Sequence, residues 1–151
     1  MTHTYTRRQS LALAAALAVG AALPRAARAD AKAEAAELIK RFADGKEPMK
    51  SAVTLDLPEI AENGNTVPLG VRIASPMTAQ SYVTEALIIA DGNPNAKTAT
   101  LKFSPLSGKA EASLRIRLAQ TQTVTALAKM NDGSVYMDQK VVKVTIGGCG
   151  G

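Results

Sequence analysis

Tryptophan is absent from this 151-residue chain, which has only three tyrosines, two phenylalanines, one histidine and one cysteine. The shortage of rings removes the stacking platform on which single-stranded nucleic acid is read. The basic excess, 18 Lys and Arg against 13 Asp and Glu, does not restore that reading. Arg7, Arg8, Arg25 and Arg28 fall in the first 29 residues, where there is no acid, and the remainder is near neutral, with 14 basic and 13 acidic side chains. It has no basic stripe to track phosphates, so no nucleic-acid partner is expected. The one histidine, His3, lies in the same segment. A domain with one cysteine and no imidazole builds none of the usual zinc, haem or copper sites, and no Ser-His or Cys-His nucleophile pair. No cofactor and no metal are expected, and no internal disulfide is possible.

What is present is ordinary globular composition, 46% apolar and 21% charged, in a length that suits one domain. The N-terminus reads as an export signal over residues 1–29. Thr6-Arg7-Arg8-Gln9-Ser10-Leu11 precedes the alanine- and leucine-rich run Ala12 to Leu23, followed by Pro24 and the small-residue site Ala27-Arg28-Ala29. The paired arginines resemble a twin-arginine (Tat) leader, with Ser10 where that motif usually has Phe. The alternative is an uncleaved anchor, but the run falls short of the roughly 20 apolar residues that span a bilayer. The expected location is the periplasm, with no membrane span. Twin-arginine export carries folded proteins, and with no cofactor motif in sight a partner is the expected reason for that route.

Residues 30–146 form the expected folded domain. Ala31 to Phe42 predicts a helix, with Asp30 as a candidate N-cap, Gly45 past its end, and Leu38, Ile39 and Phe42 as a short apolar face. After Pro48 the chain changes to short runs rich in Val, Ile, Thr and Leu: Val53 to Leu57, Val67 to Ala74, Tyr82 to Ala90, Ala99 to Phe103, Ala112 to Ala119, Thr123 to Met130 and Val135 to Ile146. Val67, Leu69, Val71 and Ile73 alternate with Pro68, Gly70 and Arg72, as Leu114, Ile116 and Leu118 do with Arg115 and Arg117, which predicts one dry and one wet face per strand. Turn signals separate the runs at Asn63-Gly64-Asn65, Asp91-Gly92-Asn93-Pro94-Asn95, Ser107-Gly108 and Asn131-Asp132-Gly133-Ser134. The expected fold is all-β, an immunoglobulin-like antiparallel β-sandwich with a short N-terminal helix.

The chain closes with Gly147-Gly148-Cys149-Gly150-Gly151. Glycine loses more backbone entropy on ordering than any other residue and brings no side chain to pack, so residues 147–151 are expected to form a flexible arm. From Ile146 the arm would carry Cys149 about 10 Å at roughly 3.5 Å per residue. Lone cysteines are usually buried and inert, but nothing local buries one flanked by paired glycines. A prenylation box is excluded because only two residues follow it. Accidental cross-linking stays open. The displayed thiol has no cationic neighbour in sequence, and the terminal carboxylate disfavours its thiolate, so activation has to come from elsewhere. Arg115 and Arg117 could attract an anionic intermediate, but alternating charges on a strand more often mark its solvated face. Met49, Met77, Met130 and Met137 read as core filler, and Tyr82 and Tyr136 as packing residues with wet hydroxyls.

Arg115 to Ala119, Gln122-Thr123-Val124, Asp132-Gly133 and Val144-Thr145-Ile146-Gly147-Gly148-Cys149-Gly150-Gly151 resemble the SoxY family, as do Glu62-Asn63-Gly64-Asn65-Thr66-Val67-Pro68, Ser75-Pro76-Met77 and the leader. SoxY is the sulfur-carrier subunit of the Sox thiosulfate-oxidation system. The resemblance implies a non-catalytic carrier paired with a SoxZ-like β-sandwich subunit, with Cys149 as the covalent attachment point and Gly147, Gly148, Gly150 and Gly151 as its arm. In that scheme a c-type cytochrome couples thiosulfate to the thiol as a cysteine S-thiosulfonate. A manganese hydrolase then releases sulfate, and a sulfane dehydrogenase oxidises the sulfur left behind. Two other readings of the same thiol are a disulfide-exchange protein, disfavoured by the lack of a resolving cysteine, and a structural exported module.

Overall fold

The computed structural model describes residues 30–147. The leader over residues 1–29 and the segment Gly148, Cys149, Gly150 and Gly151 therefore lie outside the described residues.

Helix α1 occupies residues 30–42, and Asp30 is already helical rather than a cap. Its end is closed by backbone donors: Ala43 N–H to the Ile39 carbonyl and Gly45 N–H to the Lys40 carbonyl, both 3.0 Å. The second bond closes a Schellman-type turn that requires left-handed backbone, which Asp44 (φ 51°) and Gly45 (φ 75°) adopt.

Eight strands follow: β1 (Val53–Asp56), β2 (Ile60–Ala61), β3 (Val67–Ile73), β4 (Val83–Ala90), β5 (Lys97–Lys102), β6 (Ala110–Ile116), β7 (Gln122–Met130) and β8 (Val135–Val144). They make a three-stranded sheet, β1-β3-β6, and a five-stranded sheet, β2-β8-β7-β4-β5. The pairs are antiparallel except β2 with β8, which places Ile60 opposite Lys143 and Ala61 opposite Val144 in parallel. The molecule is an all-β sandwich with one short helix, as the period-2 patterning predicts.

The turn residues do what their chemistry dictates. Between β7 and β8, Gly133 takes φ 81° and donates to the Met130 carbonyl, while Asp132 accepts from Ser134 N–H at 2.8 Å. Ser107-Gly108 ends a 3-10 turn, Pro105–Ser107.

The main core lies between the sheets. Leu55, Val67, Leu69 and Val71 of one sheet meet Ala86, Ile88, Val124, Ala126, Ala128 and Val142 of the other. Each fully buried Leu, Ile or Val contributes about 1.5–3 kcal/mol relative to exposure. β3 alternates cleanly between buried and outward positions. β4 and β7 do not, which corrects the expectation of one wet face per strand. Their second face, carrying Leu87, Ile89 and Leu127, lies under α1, where Leu38, Ile39 and Phe42 pack with Val135 and Met137. A strand covered on both sides has no reason to alternate. Lys129 pins the helix end, with Nζ 2.9 Å from the Asp44 carboxylate and 5.2 Å from the Phe42 ring centroid. At the sandwich edge Leu55 N–H donates to Asp138 Oδ2 at 2.9 Å, tying β1 to β8 across the two sheets.

Candidate functional site

The structure follows the candidate arm as far as Gly147, and how it reaches that residue defines the site. β8 ends at Val144, two residues before the expected Ile146. Ile146 is not tied down by its side chain, which is 68% exposed. Hydrogen bonds of its backbone and of the Thr145 hydroxyl hold this stretch instead. Thr145 N–H donates to the Ala61 carbonyl at 3.1 Å, its hydroxyl to the Glu62 carbonyl at 3.0 Å, and the Ile146 carbonyl accepts from Gly64 N–H at 2.8 Å. On the other flank Val144 N–H donates to Thr121 Oγ1 at 3.0 Å.

Gly64 is the node between the flanks. It is buried, and its own carbonyl accepts from Leu118 N–H at 2.8 Å. The segment Asn63-Gly64-Asn65 is therefore a turn, as its composition predicts, but a turn that bridges two loops and the start of the tail. Gly147 then passes against the 117–121 loop so closely that a Cβ there would collide with the Ala119 carbonyl oxygen and lie 3.3 Å from its carbonyl carbon. Only glycine fits that passage.

The loop that carries the Ala119 carbonyl is held by a partly buried polar cluster around Gln122. Gln122, 5% exposed at the start of β7, accepts from Gly92 N–H at 2.6 Å and donates to the Gln120 carbonyl at 3.1 Å and to Asn93 Oδ1 at 2.8 Å. Asn93 Oδ1 also accepts from Ala119 N–H at 3.0 Å, and its amide donates to the Arg117 carbonyl at 2.8 Å. Gln120 donates from its side-chain amide nitrogen to the Gly92 carbonyl at 3.1 Å. A buried side-chain amide is costly unless bonded, and that of Gln122 is bonded at both its oxygen and its nitrogen. Among the described residues no buried side-chain polar atom lacks a partner.

Of the expected site residues, Gly147 is thus placed, while Gly148, Cys149, Gly150 and Gly151 lie outside the described residues. Arg115 and Arg117 are solvent-exposed, Arg115 on the rim of an open groove of about 610 Å³ over Asp56, Gly70 and Ser113. Met77 is buried and Met130 and Met137 pack on the two cores, but Met49 is half exposed and bridges to Tyr136. Among the described residues no cluster of three His, Cys, Asp or Glu is arranged for a metal, and no helix is long and apolar enough to cross a membrane. Sequence reasoning missed the seat formed by Gly64, Asn93, Ala119 and Gln122. Its one signal was the side-chain amides of Asn93 and Gln122, and these lie in polar stretches, Asp91 to Asn95 and Gln120 to Thr123, that read as ordinary surface loop.

These features define a class: an all-β sandwich whose candidate chemistry sits on a terminal tail seated between two loops. Within that class the chain belongs to the SoxY family, whose model, described as sulfur oxidation protein SoxY, matches residues 39–149. The sulfur carrier protein SoxY from Chlorobium limicola f thiosulfatophilum is 30% identical and superposes with a TM-score of 0.60, over 76% of this chain and 98% of that one. Superoxide reductase (neelaredoxin) from Ignicoccus hospitalis shares the fold at 16% identity, TM-score 0.54, over 62% of this chain and 80% of that one. A putative superoxide reductase from Thermotoga maritima does so at 16% identity, TM-score 0.53, over 68% and 89%. These two matches speak to the fold alone. No curated protein matches the chain.

Proposed function

We propose that this protein is a periplasmic carrier of thiosulfate oxidation that holds sulfur intermediates covalently on Cys149 and presents them to separate enzymes. The observation that carries the reading is the glycine-flanked Cys149 two residues beyond a seated Gly147, in a chain of the SoxY family. Residues 1–29 act as the twin-arginine leader, 30–146 as the carrier domain and 147–151 as its arm.

The chemistry balances with the thiol as a handle. Thiosulfate and the Cys149 thiol join as Cys–S–S–SO3⁻, releasing one proton and two electrons, and the electrons leave to a c-type cytochrome partner. Water then splits off sulfate and a proton at a manganese hydrolase, leaving a persulfide on the cysteine. A sulfane dehydrogenase oxidises that outer sulfur with water to Cys–S–SO3⁻, passing the electrons to its own acceptor, and a further hydrolysis frees sulfate and returns the thiol. The carrier itself contributes position, not activation, because an ordinary solvated thiol is mostly protonated at neutral pH and the domain's interior is apolar.

A SoxZ-like subunit completes the working protein. Exposed Ile60 and Val141 support that pairing, since they lie on the outward side of β2 and β8 and leave apolar surface beside the tail.

Intact mass spectrometry of the chain after incubation with thiosulfate, the cytochrome and an electron acceptor tests the reading. A thiosulfonate adduct confined to the terminal peptide is expected. An unmodified terminus under those conditions, or turnover of a model disulfide by the isolated chain, overturns it.

A further inference from the structure

The segments 61–64 and 117–122 carry motifs that the carrier chemistry does not use. We propose that they form a socket that fixes where and in which direction the tail leaves the sandwich, with Asn93 and Gln122 as its positioning residues and Gly147 as its last fixed point.

Three observations converge on it. The tail is bonded on both flanks, to Ala61, Glu62 and Gly64 on one side and to Thr121 on the other. Gly64 joins the flanks, donating to Ile146 and accepting from Leu118. The third is the collision that any Cβ at Gly147 makes with the Ala119 carbonyl, whose position Asn93 and Gln122 set through four side-chain hydrogen bonds to residues 117–122 and to each other.

The socket changes what the tail can do. Counted from Gly147 rather than Ile146, two residues carry Cys149 about 7 Å at roughly 3.5 Å per residue. A receiving enzyme therefore has to bring its reacting group to within that distance of the sandwich, against the rim made by exposed Asn63, Asn65, Thr121 and Ile146. This consequence rests on the carrier reading, whereas the socket does not.

The test places one spin label on Cys149 and a second at Thr100→Cys, an exposed position on β5, and measures the distance distribution in the full mature chain. Asn93→Ala and Gly147→Ala should each shift the mean by roughly one residue's length, about 3.5 Å. Circular dichroism identifies the variants that keep the fold, and Asn93→Ala serves if Gly147→Ala does not. With the same substitutions in the unlabelled chain that keeps Thr100, enzyme-dependent sulfur loading of Cys149 should fall roughly tenfold, within the range that ångström-scale misplacement produces, while iodoacetamide alkylation keeps its rate. A merely structural role would not separate those two rates. Distances that superpose on the parent's in every folded variant overturn the socket. A parent chain that never takes up sulfur overturns the carrier reading instead, and the distances still decide the socket.

Discussion

The two ends of the folded domain are attached by opposite means. At one end α1 is held by side chains: Leu38, Ile39 and Phe42 sit on Leu87, Leu127 and Val135, with the Lys129–Asp44 pair at the margin. At the other end the tail is held by hydrogen bonds to main-chain groups of Ala61, Glu62 and Gly64 and to the Thr121 hydroxyl, while its own large side chain, Ile146, faces water. Side-chain attachment scales with buried area and tolerates small shifts. Hydrogen-bonded attachment depends on geometry and little on area. The helix end is built for stability, and the tail end for placement.

The sharpest way to break that comparison is to remove the group the tail presents. Cys149→Ser should abolish sulfur loading, read by intact mass, and leave the melting temperature unchanged. Next in size is a cavity at the helix end: Leu127→Ala, at a fully buried position, should cost about 2–5 kcal/mol in urea unfolding and leave loading of the folded fraction intact. A smaller effect is expected at the tail end. Thr145→Val deletes the hydroxyl donor to the Glu62 carbonyl and should cost about 1 kcal/mol, yet slow loading more than Leu127→Ala does.

The smallest effect is electrostatic. The Lys129 ammonium, through its hydrogen bond and its charge, holds the Asp44 carboxyl below its ordinary 3.8, and Ser134 N–H does the same for Asp132. A carboxyl depressed in the folded state stabilises above its unfolded pKa, and that contribution disappears as pH falls through the folded value. Melting temperature should therefore be level down to about pH 4 and decline below it. Asp44→Asn, which keeps a side chain suited to left-handed backbone, should lower it slightly at pH 7 and flatten the acid decline.

The same contrast explains what could be read in advance. Helix α1, the sandwich and its turns were legible because apolar periodicity and turn chemistry are properties of side chains, as at Val67 to Ile73 and at Asn131 to Ser134. β2 was not, since Ile60 and Ala61 are too few to show a period and pair in parallel at an edge. The double burial of β4 and β7 was hidden until the helix was placed over Leu87 and Ile89. Cys149 stood out by its glycine neighbours. The socket did not, because N–H and C=O groups belong to every residue, and only the amides of Asn93 and Gln122 hinted at one.

The close passage of Gly147 also determines where this protein tolerates redesign. Glycines inserted after residue 147 lengthen the tether by about 3.5 Å each and leave the seat intact. The same insertion between Thr145 and Ile146 moves Gly147 off the Ala119 carbonyl and puts the register of the whole exit out of step. On the proposed carrier reading the tether has a zero mark, against which partner enzymes can be calibrated by adding one residue at a time until delivery fails.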